Sequence, residues 1–172
     1  KVWSSGNSSN VNAYIYEIYV KEYAITINAP TETINANNVI DDNISTYAYR
    51  SCQTNKTLFE ICTLSLNETI PIDDISILFH PTYQHYNCKI EVSTDNETWT
   101  TWYDGTNINR TYAGDCSFTV GDPHCPSEPQ NVKYIKVWSS GNSSNVTAYI
   151  YEITINSPNI LKGASIVASN ST

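Results

Sequence analysis

The sequence predicts an all-β protein built as an antiparallel β-sandwich of the jelly-roll kind. Three observations predict it. Short segments alternate β-branched or aromatic residues with polar ones at a period of two. Asp, Asn, Gly and Pro clusters separate them at regular intervals. No stretch of ten or more residues repeats its apolar positions at helical spacing.

The segments run in order along the chain. Ala13–Val20 reads AYIYEIYV, with Tyr alternating against Ile or Val. Leu58–Leu66, Ile75–Phe79, Lys89–Ser93, Thr98–Tyr103, Ser117–Val120 and Lys133–Trp138 follow, and Ala148–Ile155 repeats the first pattern. Turns are expected at Asp41-Asp42-Asn43, Asn67-Glu68, Pro71, Asp95-Asn96, Asp104-Gly105, Gly121-Asp122-Pro123 and Ser140-Gly141-Asn142. A chain of 172 residues suffices for one such sandwich but hardly for two.

Composition narrows the function classes. The formal charge is −8, which gives no electrostatic footprint for nucleic acid. No apolar run approaches the roughly 18 residues of a membrane helix. Asn, Ser and Thr make up 58 of the residues, while only 15% are charged. A surface that is polar without being ionic points to an extracellular or cell-surface β protein.

The acceptor pattern Asn-x-Ser/Thr occurs at Asn7, Asn43, Asn55, Asn67, Asn96, Asn109, Asn142, Asn145 and Asn170. Nine sites is roughly twice what chance gives for 20 Asn and 38 Ser or Thr in this length. A secreted, glycosylated protein is therefore expected. Five cysteines agree with that compartment, and none forms a CxxC pair. Cys116 and Cys125 flank a Gly/Pro-rich turn and are the first expected disulfide, with Cys52 and Cys62 the second. Cys88 is left either as a buried thiol or as a bridge to another repeat. The chain opens at KVW, so a processed product or a fragment is expected.

An internal repeat sets the organisation. KVWSSGNSSNVNAYIYEI at 1–18 returns as KVWSSGNSSNVTAYIYEI at 136–153, identical at 17 of 18 positions. The single difference, Asn12 against Thr147, turns Asn145 into an acceptor site. The copies realign at Ile25–Pro30 and Ile153–Pro158. A period near 135 residues is too long for a solenoid and fits globular domains in tandem. The expected division is 1–30 as the end of a preceding repeat and linker, 31–158 as one sandwich, and 159–172 as the start of a following repeat.

Several motifs, in order, resemble the discoidin (coagulation-factor type C) domain and the related family 32 carbohydrate-binding modules. NNVIDDNISTYAY at Asn37–Tyr49 resembles that family's early loop, and LFEICTL at Leu58–Leu64 its first long core strand. KIEVSTDNETW at Lys89–Trp99 is the nearest match. VKYIKVW at Val132–Trp138 and AYIYEITI at Ala148–Ile155 resemble its last two strands. The resemblance covers about residues 31–158 and implies a galactose-binding-like sandwich. Asp42 and Asn96 stand where the family usually has Gly, and the domain-spanning disulfide of its blood-clotting members has no counterpart.

The resemblance implies a structural Ca²⁺ held by Asp41, Asn43 and Thr46 of the early loop and Glu152 of the last strand. The chemistry suits it, because Ca²⁺ takes six to eight oxygens and an Asp/Asn turn supplies carboxylate and carbonyl ligands. The competing reading is a solvated turn network with an exposed Glu152. A carbohydrate platform is sought in aromatics near loops: Trp102 and Tyr103 are the candidates, with Trp99 assigned to the core. His80, His85 and His124 lack ligand spacing and are read as solvated loop residues. No nucleophile–base order resembles a hydrolase, so no catalytic residue is assigned.

The expected function is non-enzymatic: a structural or adhesive module of a tandem-repeat extracellular glycoprotein that forms a surface fibre, sheath or layer. Its partners would be neighbouring repeats or identical subunits. The alternative is a carbohydrate-binding module that targets a larger secreted protein or enzyme to polysaccharide, with a glycan as partner.

Overall fold

The computed structural model describes residues 24–51, 54–108 and 110–158. The expected strand at Ala13–Val20 and the expected third repeat at 159–172 lie outside the described residues. Among those described, nine strands form two antiparallel sheets. The strands are β1 (Ile25–Asn28), β2 (Ala48–Ser51), β3 (Leu58–Ile72), β4 (Asp74–Phe79), β5 (Cys88–Ser93), β6 (Thr100–Asp104), β7 (Asp115–Thr119), β8 (Gln130–Ser140) and β9 (Thr147–Asn156). One sheet runs β1-β3-β8-β5-β6 and the other β2-β9-β4-β7. A 3-10 turn at Ala36–Ile40 drops Val39 into the core.

The sandwich follows from alternation. Ile75, Ile77 and Phe79 of β4 and Ile90 and Val92 of β5 point inward. Ile135 and Val137 of β8 and Ile150 and Ile153 of β9 close the same core. At about 1.5–3 kcal/mol for each fully buried aliphatic side chain, this stripe is the main stabilising term. Ile25–Asn28 corrects the expected domain boundary. It was placed in the linker, yet it pairs with Leu66–Thr63 as the edge of the five-stranded sheet.

Register shifts interrupt the ladders at four places, two of them in β3, and the two in β6 and β9 decide which aromatics are exposed. In β6, Tyr103 pairs with Ile90 and Thr101 with Glu91, which leaves Trp102 as the extra residue. Trp102 and Tyr103 therefore both turn inward. In β9, Ile150 pairs with Phe79 and Glu152 with Leu78, which leaves Tyr151 as the extra residue. Ile150 and Ile153 stay buried, while Tyr151 and Glu152 lie on the outer side.

His85 ties this frame together and corrects the solvated assignment, since it is fully buried. Its backbone exchanges hydrogen bonds with Tyr112, His85 N to Tyr112 O at 2.8 Å and Tyr112 N to His85 O at 2.9 Å. Its Nε2 accepts the Tyr149 amide of β9 at 3.0 Å. Nδ1 then carries the proton and faces Tyr112 O at 3.2 Å. The ring packs on Phe79, with centroids 5.1 Å apart.

Burial holds the His85 pKa down at about 4, against an ordinary 6.5. Below pH 6.5 the unfolded chain takes up a proton that the folded chain refuses. Stability is therefore lost as pH falls from 6.5 toward 4, by about 3 kcal/mol in total. Melting curves across this window should fall more steeply for the native protein than for His85→Gln. The difference between the two curves isolates His85 from other titrating groups. Parallel curves would show that the imidazole carries no such load.

Candidate functional site: an aromatic face beside an acidic loop

The outer side of the four-stranded sheet carries a cluster of tyrosines. Tyr49 of β2 faces Tyr149 of β9 across a register pair. Tyr47 precedes β2 on the same side, and the β9 bulge adds Tyr151. Ring centroids are 5.6 Å apart for Tyr47–Tyr149, 5.2 Å for Tyr47–Tyr151 and 6.1 Å for Tyr47–Tyr49. The segment after β4 completes the cluster. His80 stacks on Tyr83 at 3.9 Å with ring planes 15° apart, and it meets Tyr149 and Tyr151 edge-on. Its Nδ1 accepts the amides of Thr82 and Tyr83, so the loop fixes the ring. Partial burial keeps the His80 pKa below the ordinary value, which favours a neutral ring beside the tyrosines. Tyr47 is 38% exposed, and Tyr49, Tyr83, Tyr149, Tyr151 and His80 are half-buried.

The early loop borders this face. Asp41 Oδ1 accepts the Asn43 amide at 3.0 Å, and Asp41 Oδ2 accepts the Thr46 hydroxyl at 2.8 Å. Asn43 Oδ1 accepts the Ser45 amide at 3.1 Å, and Asn43 O accepts the Thr46 amide at 3.0 Å. Asp42 sits at φ +55 and Asn96 at φ +66. These are the two positions where Gly is usual, and Asp and Asn are the residues that best tolerate the left-handed region.

The fold brings Glu152 to this loop. Burial, then the charges of Asp42 and Asp41, push its carboxyl up to about 7, while the Ile153 and Asp42 amides oppose the shift. Its Oε2 is buried without a hydrogen-bond partner. An orphaned carboxylate oxygen beside two more carboxylates suits a hard cation. Asp41, Asn43, Thr46 and Glu152 offer only oxygen donors, which fits calcium. Among the described residues no three His, Cys, Asp or Glu side chains stand together as a metal group. Backbone carbonyls would therefore supply part of any ligand set.

The remaining expected sites disperse. Trp102 and Tyr103 are core residues rather than a platform, at 0% and 2% exposure. The Trp102 Nε1–H donates to Phe118 O at 2.9 Å, and the Tyr103 hydroxyl pairs with that of Tyr112 at 2.8 Å. Trp99, assigned to the core, is only half-buried and lies 4.0 Å from Lys136 Nζ, measured to the ring centroid. Among the described residues Cys62, Cys88, Cys116 and Cys125 stand as free thiols, which corrects the expected Cys116–Cys125 disulfide. Cys116 faces inward on β7, whereas Cys125 lies in the turn closed by Gly121 N to Pro126 O. Cys62 is fully buried in β3, and burial pushes its thiol up; Cys52 lies outside the described residues.

Asn43, Asn55, Asn67, Asn96 and Asn145 are exposed. Asn142 is not, and its side chain is fully engaged. Nδ2 donates to Asn145 Oδ1 and Thr147 O, while Oδ1 accepts the Ser144 and Asn145 amides. It is a turn-building residue, with both hydrogens of its side-chain amide donated. Asn7, Asn109 and Asn170 lie outside the described residues.

The tyrosine face was missed in the sequence because strict alternation hides a bulge. A signal existed. In TAYIYEITIN the apolar positions Ala148, Ile150, Ile153 and Ile155 step by two, three and two. The step of three marks the extra residue.

The model of the F5/8 type C domain matches residues 21–153. Family 32 module CBM32-1 of a family 31 glycoside hydrolase from Clostridium perfringens superposes with a TM-score of 0.60 at 12% identity, over 77% of this chain and 93% of that one. A pectin-binding carbohydrate-binding module gives 0.52 at 22% identity, over 80% and 92%. The CBM32 of AlyQ, in complex with 4,5-unsaturated mannuronic acid, gives 0.53 at 18% identity, over 77% and 92%. No curated protein matches the chain. At these identities the solved structures establish the shared fold, and the match over residues 21–153 establishes that the chain belongs to the F5/8 type C domain family.

Proposed function

We propose that this domain is a carbohydrate-binding module without catalytic function and that the tyrosine–histidine face is its glycan platform. The carrying observation is the outward cluster of Tyr47, Tyr49, Tyr83, Tyr149, Tyr151 and His80. Aromatic rings present flat apolar surface with polar edges, which matches the C–H faces and hydroxyl rims of pyranosides. The solved relatives include a module described as pectin-binding and one in complex with 4,5-unsaturated mannuronic acid, which supports the class of ligand. A glycan array should give specific binding, and Tyr47→Ala should weaken it about tenfold, the loss of one stacking ring. Tyr47 is exposed enough that its removal spares the core. A silent array, or full binding by the variant, contradicts the assignment.

We further propose that Asp41, Asn43, Thr46 and Glu152 hold calcium. The ion would satisfy Glu152 Oε2 and pin the early loop to β9. Bound to the folded form, it would stabilise the domain through linkage. Without the ion, the raised Glu152 pKa means that charging this group opposes folding as pH rises from its ordinary value of 4.5 through about 7. At pH 8, Glu152→Gln should therefore raise the melting temperature in chelator and lower it in calcium. A melt that calcium leaves unchanged in the native protein refutes the ion site.

A second reading is favoured by one observation, the 17 of 18 identity between 1–18 and 136–153. Near-identical copies suit a structural or adhesive module of a tandem-repeat extracellular glycoprotein, with neighbouring repeats or identical subunits as partners. Glycopeptide mapping of chain secreted from a eukaryotic host should find most of Asn43, Asn55, Asn67, Asn96 and Asn145 modified and Asn142 bare. An occupied Asn142, or fewer than half of the others modified, counts against this reading.

A further inference from the structure

Among the described residues, the outer side of the four-stranded sheet carries carboxylates, and no lysine or arginine contact there is with a tyrosine of the face. Strand register sets its rows. Asp115, Leu78 and Glu152 lie side by side across β7, β4 and β9. Ser117, Ser76 and Thr154 form the next row, then Thr119, Asp74 and Asn156. Asp74 accepts bonds from Ser76, Ser117, Thr119 and Asn156. These bonds hold its carboxyl below the ordinary range against the opposing effect of burial. Asp41 and Asp42 stand at the border by Glu152.

The cations lie elsewhere. Among the described residues, Lys89 pairs with Glu91, and Lys136 lies by Trp99 and Trp138 on the other sheet. Lys133 lies over Tyr134, Lys56 over Tyr86, and Arg110 over Tyr112. Arg50 reaches Phe59, Glu32 and the Glu60 carbonyl. None of these contacts involves a tyrosine of the face.

With no calcium bound at Asp41 and Glu152, a glycan laid on the tyrosines therefore meets neutral rings, hydroxyls and, from the described residues, negative potential. An acidic sugar would bring a carboxylate or sulfate with no positive partner, against charges of its own sign. We propose that this face takes pyranosides without acidic groups and rejects uronates and sulfated sugars. The inference rests on the reading of the face as a glycan platform and adds its selectivity.

Titrations of the full chain in chelator, so that no calcium offsets Asp41 and Glu152, with galactan, N-acetylglucosamine hexamer, polygalacturonate and polymannuronate test it. At low salt at least one neutral probe should bind, with the acidic probes about tenfold weaker or more. The gap should shrink at high salt, where exposed charges are screened. Thr154→Lys, which sets a cation in the row beside Glu152, should shrink it too. An acidic probe bound as tightly as the neutral ones overturns the selectivity and leaves the module reading standing. A gap indifferent to salt overturns the charge account. Binding to none of the four overturns both.

Discussion

One extra residue in β9 determines what the outer surface of this domain offers. Opposite Leu78 and Phe79, the strand accommodates both Tyr151 and Glu152 where its partner supplies one residue. Without that bulge the period of two would put Glu152 inward and Ile153 outward. With it, Ile150, Ile153 and Ile155 serve the core, Tyr151 joins the tyrosine cluster, and Glu152 reaches the early loop. The aromatic face and the acidic border are thus consequences of one register shift. His85 supports the same place, since its Nε2 holds the Tyr149 amide at the approach to the bulge.

The bulge in β6 has the opposite effect and shows why the sequence was only partly legible. Seven of the eight expected strands recur, six of them within a few residues of their predicted limits, while β3 runs on from Leu66 to Ile72 through the turns expected at Asn67-Glu68 and Pro71. The short edge strands β1 and β2 escaped, being four residues each. Identical tetrapeptides show how much context decides. ITIN forms the edge strand β1 at Ile25–Asn28 and the end of β9 at Ile153–Asn156, in different sheets. For the site, the approach of Glu152 to Asp41 and Asp42 was legible through family resemblance. Trp102 and Tyr103 are platform candidates in the sequence because they are aromatics near a loop, and the β6 bulge turns both inward. Asn142 was misread for a related reason. An acceptor triplet records residue types, and the four hydrogen bonds that bury this side chain depend on the turn that follows it.

The repeat gives the outer face a wider meaning. In the sequence, Tyr149, Tyr151 and Glu152 recur as Tyr14, Tyr16 and Glu17, with every flanking residue from Ala148 to Ile153 also identical. Pressure to keep a sandwich core alone would spare Ile and Val and let outward tyrosines vary. Identity at both inward and outward positions means that whatever this strand presents outward is offered again in the sequence of the other copy. The binding and tandem-array readings therefore draw on the same strand.

The central claim is that the bulge-built tyrosine face is the surface that meets a ligand. Nuclear magnetic resonance titration of the isotopically labelled chain with a neutral oligosaccharide measures this most directly. The account predicts that perturbed resonances cluster on Tyr47, Tyr49, His80, Tyr83, Tyr149 and Tyr151. Perturbations gathered instead around Trp99, Lys136 and Trp138 on the opposite sheet would contradict it.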